Sequence, residues 1–512
     1  MACHVPKTIN VDRGIGAKCK RGDSIPKEGK GKARKGKVKA RKGKGRLEDR
    51  LLFKDKLAWE GISRREERTV EEFALGYKSF LTEAKGLREV VARIVAMARE
   101  AGFVELSSVQ KLVPGARVYA TNRGKSVTLA VMGRRPLAEG GLVVASHADA
   151  PRLDLKQRPL YEDGATHLAL MRTHYYGGIK KYQWTSHPMS LHGAVSLASG
   201  PTVEFSIGEA PGDPVFTVPD LLPHLWGKSQ ATRKADEVLK GEELHLVVGS
   251  RPIDDPKAKE RVKLAVLDHL NRSHGIIEED LISAEVEAVP AGPARDVGFD
   301  RSLVGAYAQD DRSCVYTSLR AILGVRAPER TCIAVVVDKE EIGSESNTSM
   351  KSRFFLNFLE DILVLQGATH PERELWRSLR LSRCLSADVN AGLDPVFKDV
   401  HEQQNAAVLG RGIVLTKYTG GGGKYNASDA TAEYMGEVRR LLNAKRVRWQ
   451  YGAMGKVDEG GGGTVAKFLA EFDMDVLDVG PALLSMHSPF ELSSKVDIYH
   501  TYKAFAAFYG MR

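Results

Sequence analysis

Apolar residues first recur at helical spacing between Leu47 and about Gly102. Val70, Phe73, Ala74, Tyr77, Phe80 and Leu81 fall on one stripe, and Val90, Val91, Ile94, Val95, Met97 and Ala98 on a second. Two amphipathic helices are predicted. The pattern then changes to short, uninterrupted apolar runs, Val127–Met132 and Leu142–Ala145, which predict strands buried on both faces. Between residues 153 and 290 the texture differs. Scattered runs such as Ala194–Leu197, Val203–Ile207 and Leu244–Val248 are punctuated by Pro and Gly, as in a β-rich segment. From about Asp300 the alternation of helix and strand returns. Ser313–Leu323, Lys351–Leu365, Ala427–Leu442, Thr464–Glu471 and Ser493–Tyr509 read as helices, and Cys332–Val337 as a buried strand. The pattern predicts an α/β unit, residues 47–152 and 291–512, interrupted by a β-rich insert, residues 153–290.

Charge changes the picture at one end only. The net charge of the 512 residues is +11, but residues 1–46 hold 16 Lys and Arg against three acids. That segment carries +13 and leaves −2 for the remainder. Rich in Gly and Lys and almost without large apolar side chains, it is predicted to be disordered. It reads either as a solubilising tail or as a nonspecific contact for nucleic-acid phosphates; with no interleaved aromatics, base recognition is not expected. Salt-sensitive nucleic-acid binding that disappears on deletion of residues 1–46 separates the two. No apolar run approaches the ~18 residues of a membrane span, and the N-terminus has no apolar signal region. Five sparse cysteines do not form a disulfide framework. A cytoplasmic location is expected.

Five segments carry candidate chemistry, each in or just after an apolar run. LVVASHADAPRLD presents His147 and Asp149, spaced so that the carboxylate can bond the far ring nitrogen of the histidine. AYAQDDRSC presents Asp310 and Asp311, a pair of adjacent carboxylates that is costly without cations. IAVVVDKEEIGSES ends a strand in Asp338, Lys339, Glu340 and Glu341, where one acid can be a ligand and the other a general base. CLSADVNAG offers Asp388, and VGPALLSMHSPFE offers His487. Imidazoles and carboxylates are the donors of a hydrolytic zinc site, and a carboxylate bridging two ions is a recurrent device of two-metal hydrolases.

Those segments, in this order, resemble the M18 metallopeptidases, the family that includes the aspartyl aminopeptidases, in the form seen in bacterial members. The likeness begins near LAWEGISRREERTVEEFALGYKSFL and extends over roughly nine-tenths of the chain. The resemblance implies a three-layer α/β metallopeptidase domain with an inserted β-rich dimerisation domain. It implies a metal-dependent aminopeptidase with two divalent ions per subunit, zinc first and cobalt or manganese as alternatives. His147 and Asp388 bind one ion, Glu341 and His487 the other, and Asp310 bridges both. Glu340 is the general base and Asp149 orients His147. VPDLLPHLW resembles a family segment whose histidine, here His224, reaches the active site of a neighbouring subunit in twelve-subunit shells. After Asp388 the chain reads VNAGLDPVF where aspartyl aminopeptidases place a histidine-containing segment, so acidic specificity is not carried over. In the loop VLTKYTGGGGKYNASDATAE, Lys417 or Lys424 either meets an acidic first side chain or faces solvent. The Gly460–Gly463 run reads as a close-packed turn or a ligand-facing one. The competing functions are another two-metal peptidase or deacylase, and a nucleic-acid-binding scaffold acting through the tail.

Overall fold

Four central strands account for the main sheet. Cys332–Val337, Leu142–His147, Arg383–Ala387 and Asp475–Gly480 lie side by side and parallel. Nearly every residue in them is buried, which is why they read as unbroken apolar runs. Five flanking strands complete a nine-stranded sheet. Ser126–Val131, Arg117–Asn122 and Val104–Glu105 extend one side, and Ile413–Thr416 and Trp449–Tyr451 the other. The computed structural model describes residues 46–512; the basic segment and its expected phosphate contact lie outside the described residues, Arg46 excepted.

Helices cover both faces, giving the three layers expected. On one side, the helices Arg64–Glu83, Leu87–Glu100, Gln309–Leu323 and Lys495–Tyr509 pack Phe73, Tyr77, Ile94, Val315 and Phe505 against Val144 and Val336. On the other, Phe354–Leu365, Pro371–Leu381 and Ala466–Ala470 pack Phe358, Leu379 and Leu469 against Val143 and Val335. Neighbouring strand residues enter opposite cores, as the two-residue period of a strand requires. The first amphipathic helix begins where the Ser63 hydroxyl accepts the Glu66 N–H, and its predicted stripe is its buried face.

The six strands Thr202–Ile207, Met189–Ser196, Glu285–Pro290, Arg152–Glu162, Ala169–Tyr176 and His245–Gly249 form a second, antiparallel sheet. Leu153, Leu160, Trp184, Leu246 and Val286 belong to its separate core. This sheet begins five residues after His147, so it is anchored at the end of a central strand. The helix Arg261–His274 packs on it, an element the strand-like reading of this region did not include. Its signal was present: Val262, Val266 and Leu270 recur every four residues, and Gly275 closes the helix in the left-handed conformation.

A small third sheet joins Arg295–Val297, Leu303–Ala306, Glu491–Ser494, Ala482–Leu484 and Asn390–Ala391. Other differences from expectation are at helix ends. The expected helix from Ala427 starts at Ala432, because Thr431 caps it by accepting the Tyr434 N–H. The expected helix from Ser493 starts at Lys495, because Ser493 and Ser494 pair in the third sheet. The chain divides into two compact units between Lys54 and Asp55; the described part of the first, residues 46–54, includes the short helix Leu47–Leu51. No helix among the described residues is long and apolar enough to cross a membrane.

The last helix carries a buried histidine with a consequence for stability. His500 Nδ1 accepts the Arg448 N–H at 3.1 Å. Burial, followed by Lys503 and Arg448, pushes its pKa down to about 3, against about 6.5 when unfolded. Between those values the unfolded chain binds more protons, so this stabilisation is complete above pH 6.5 and is lost as pH falls. At about pH 5.5 the loss is about 1 kcal/mol. Urea midpoints at neutral pH and at about pH 5.5 should therefore fall further apart in the native protein than in His500→Asn, whose Oδ1 accepts the same N–H without titrating; equal shifts would contradict this account.

Candidate active site

The carboxyl ends of the four parallel strands converge on one crevice, the position where open α/β sheets bind ligands. His147 is the last residue of its strand. Glu340 and Glu341 form a tight turn three residues after Val337. Asp388 directly follows Ala387. His487 lies beyond Gly480, past the short strand Ala482–Leu484. Asp310 comes from the opposite direction, at the start of the helix Gln309–Leu323, where the first turn departs from helical geometry. All six line a cavity of about 690 Å³.

Asp310 stands at the centre. One carboxylate oxygen is 3.5 Å from His147 Nε2 and the other is 3.2 Å from His487 Nε2. His487 Nε2 is also 3.4 Å from Glu341. Ligand atoms of His147, Asp310 and Glu341 lie within 4.8 Å of one another, as do those of His147, Glu340 and Asp388 and those of Asp310, Asp311 and Asp388. Both rings are held the same way. His147 Nδ1–H donates to the Asp149 carbonyl at 3.0 Å, and His487 Nδ1–H to the Gly178 carbonyl at 2.8 Å. A carbonyl only accepts, so Nδ1 carries a proton, and Nε2 faces the crevice as the atom that would bind a metal once its own proton is lost. The expected bond from the Asp149 carboxylate to His147 is the longer contact, 3.4 Å.

Electrostatics follow from this crowding. Burial and then neighbouring acids raise Glu341, Asp311 and Asp388 well above the carboxylate range, and burial pushes Glu340 up to about 7. Burial also works against a charge on Asp310, but the adjacent imidazoles of His147 and His487 outweigh it and hold its pKa low. His487 is raised to about 10: burial opposes its charge, and Asp310 and Glu341 overcome that opposition. Among the described residues, Asp310 Oδ1, Asp311 Oδ1 and Glu341 Oε1 are buried without a hydrogen-bond donor. A carboxylate oxygen can only be satisfied by a donor or a cation. Two imidazoles and several orphaned carboxylate oxygens fit zinc.

The comparisons with known proteins agree. Residues 80–509 match the family described as "Aminopeptidase I zinc metalloprotease (M18)". The chain belongs to the M18 aminopeptidase family. A probable M18 family aminopeptidase 1 of Clostridium acetobutylicum is 46% identical over 464 residues, 90% of this chain and 98% of that protein. The crystal structure of the Thermotoga maritima M18 aminopeptidase superposes with a TM-score of 0.86 at 46% identity, covering 90% of this chain and 99% of that one. The dodecamer of yeast mApe1 shares the fold at 20% identity, with a TM-score of 0.67 over 86% of this chain and 97% of that one. This M18 protein is thus a zinc-type metallo-aminopeptidase with an α/β fold.

Other expected residues take different places. His224 is exposed in a loop and does not line the cavity of its own chain. Lys417 and Lys424 both pair with Asp429, at 2.8 and 2.7 Å. The two glycine runs pack against each other: Gly420 N–H donates to the Gly462 carbonyl at 2.6 Å, and a Cβ on Gly461 would lie 2.1 Å from the Gly420 carbonyl oxygen. Together they wall the cavity.

Glu491 closes the segment VGPALLSMHSPFE and is not among the expected site residues. Its two oxygens accept the backbone N–H groups of His487, at 2.7 Å, and Asp310, at 2.9 Å. One carboxylate therefore ties together two segments that meet only in the folded chain; a buried acid four residues after His487 was its only signal. Glu491→Gln places an amide NH₂ against one of these N–H groups, a mismatch costing about 1–3 kcal/mol. A lower melting temperature and weaker zinc retention in chelator competition are expected; native values for both would show that the two bonds are dispensable.

Proposed function

We propose that this aminopeptidase holds two zinc ions per chain. His147 and Asp388 would hold one and Glu341 and His487 the other, with Asp310 between them contributing to both. The observation that carries the reading is the position of Asp310, whose two oxygens face the Nε2 atoms of two different histidines. Cobalt and manganese suit the same donors. Bound ions supply Lewis acidity, which lowers the pKa of water and polarises the scissile carbonyl.

The chain's own residues do the rest. Glu340 lines the cavity beside the ligands without being needed in either set. As general base it takes the proton of the attacking water, then delivers it to the departing amine. Asp149 holds the base in place: its carboxylate accepts the backbone N–H groups of Glu340 and Glu341, each at 3.2 Å. The free α-amino group of a peptide meets the acidic floor of the crevice, which restricts cleavage to the first bond.

The second antiparallel sheet is read as the dimerisation domain, residues 153–290, inserted between residues 47–152 and 291–512 of the catalytic domain. The loop around His224 supports this, since Leu221, Leu222, Leu225 and Trp226 are all exposed, Leu225 by 64%. Covered by a second copy, this loop lets His224 stabilise the oxyanion in the neighbouring site. Assembly into twelve subunits is taken from the likeness to the yeast mApe1 dodecamer. A cytoplasmic setting suits the buried free thiols of Cys314, Cys332 and Cys384.

Glu340→Gln should retain two zinc ions per chain by elemental analysis and lose turnover by about 10²–10⁴-fold; full activity would overturn the assignment of the base. Light scattering should give the mass of a dodecamer. His224→Ala should lower kcat while leaving zinc content unchanged, and unchanged kcat in an intact assembly would remove His224 from the site.

A further inference from the structure

Two of the contacts that orient the ligand set come from three consecutive residues where a strand of the second sheet ends. The strand Ala169–Tyr176 runs antiparallel to Arg152–Glu162, with Tyr176 opposite Arg152. It ends beside the metal ligands. The Tyr176 hydroxyl donates to Asp149 Oδ2 at 2.7 Å. Asp149 in turn accepts the N–H groups of Glu340 and Glu341, and its carbonyl accepts His147 Nδ1–H. Two residues on, the Gly178 carbonyl accepts His487 Nδ1–H.

The segment is built to stay in place. Tyr176 is buried, with the Arg152 guanidinium 3.8 Å from its ring centroid. The Arg152 side chain is itself held by Asp154 at 2.7 Å and lies 3.6 Å from Glu287, both on strands of the same sheet. Between Tyr176 and Gly178, Gly177 has φ of +74°, a conformation a side chain strains. A Cβ there would also lie 3.3 Å from Pro151 and 3.5 Å from Glu341. The chain thus turns sharply against the ligands themselves.

We propose that Tyr176–Gly178 is a positioning element for both histidines and the paired glutamates of the metal centre: the Tyr176 hydroxyl fixes Asp149, and with it His147 and the Glu340–Glu341 turn, while the Gly178 carbonyl fixes His487. One short segment of the second sheet thereby sets both ends of the ligand set, and that sheet is part of the active site as well as a candidate subunit contact. The inference rests on the ligand assignment above. Outer partners of ligands typically change metal affinity by about 10–100-fold when removed.

Tyr176→Phe deletes the hydroxyl and keeps the ring beneath Arg152. The full-length variant should fold with a near-native melting temperature of its metal-free form. Zinc affinity, measured by chelator competition, should fall by about 10–100-fold. The visible absorption of the cobalt-substituted protein should change, and at saturating zinc kcat should fall with KM nearly unchanged. Gly177→Ala tests the other arm, with the same loss of affinity expected through a displaced Gly178 carbonyl. His487→Ala is measured alongside. Native affinity and cobalt spectrum in Tyr176→Phe and Gly177→Ala, with affinity lost in His487→Ala, would overturn the positioning role alone. Native affinity in all three would overturn the ligand assignment beneath it.

Discussion

Carboxylates crowded out of water at the end of a parallel sheet are the constraint around which this molecule is organised. Asp310, Asp311, Glu341 and Asp388 lie within a few ångströms of two histidines, and several of their oxygens lack a donor. Buried like charges of this density are costly without cations, and two imidazole lone pairs aimed at the same space supply neutral donors. Zinc bound by these groups, as proposed, would resolve the conflict and make the metal part of the folded state as well as of the chemistry.

The scaffold meets this demand with rigidity. Four strands buried on both faces bring His147, Glu340, Glu341, Asp388 and His487 to one edge. The backbone between strand and ligand is bent tightly: Lys339, Ala308 and His487 all have φ between +60° and +70°. Each such residue costs about 1–3 kcal/mol, so the surroundings must hold these turns. Glu491 does so for Asp310 and His487, and Asp149 for Glu340 and Glu341. Close packing contributes too: a Cβ on Gly480 would lie 2.0 Å from the Asp388 carbonyl oxygen, so that glycine lets the two strand ends come together.

The second sheet meets the site at both ends of the ligand set. Its first strand leaves directly from the His147–Pro151 loop, and the turn after its next strand lies against His487. A segment inserted into an α/β unit at a strand end is automatically close to whatever that strand end holds, because the connection is only a few residues long. This gives a physical route by which the proposed subunit interface on the sheet would be mechanically linked to the metal centre.

Much of this was legible along the chain. The stripe from Val70 to Leu81 and the runs Leu142–Ala145 and Cys332–Val337 state their own elements, because burial of one helix face or of both strand faces demands those patterns. The acids and histidines that close those runs marked the crevice, since five such segments in one chain, each in or just after an apolar run, carry together a weight that none carries alone. Local pattern misled where two elements compete for the same residues. Ser493 and Ser494 pair in a sheet although a helical stripe begins there, and the four-residue spacing of Val262, Val266 and Leu270 was hidden among strand-like runs. Tertiary structure alone decided which carbonyl orients each histidine, that Glu491 ties Asp310 to His487, that Lys417 and Lys424 share Asp429, and that Tyr176 reaches Asp149. Secondary structure and the choice of ligand types are set by periodicity and by side-chain chemistry, which a single chain displays in order. Hydrogen bonds between residues far apart in that order depend on where the strands end in space, and no local spacing encodes that.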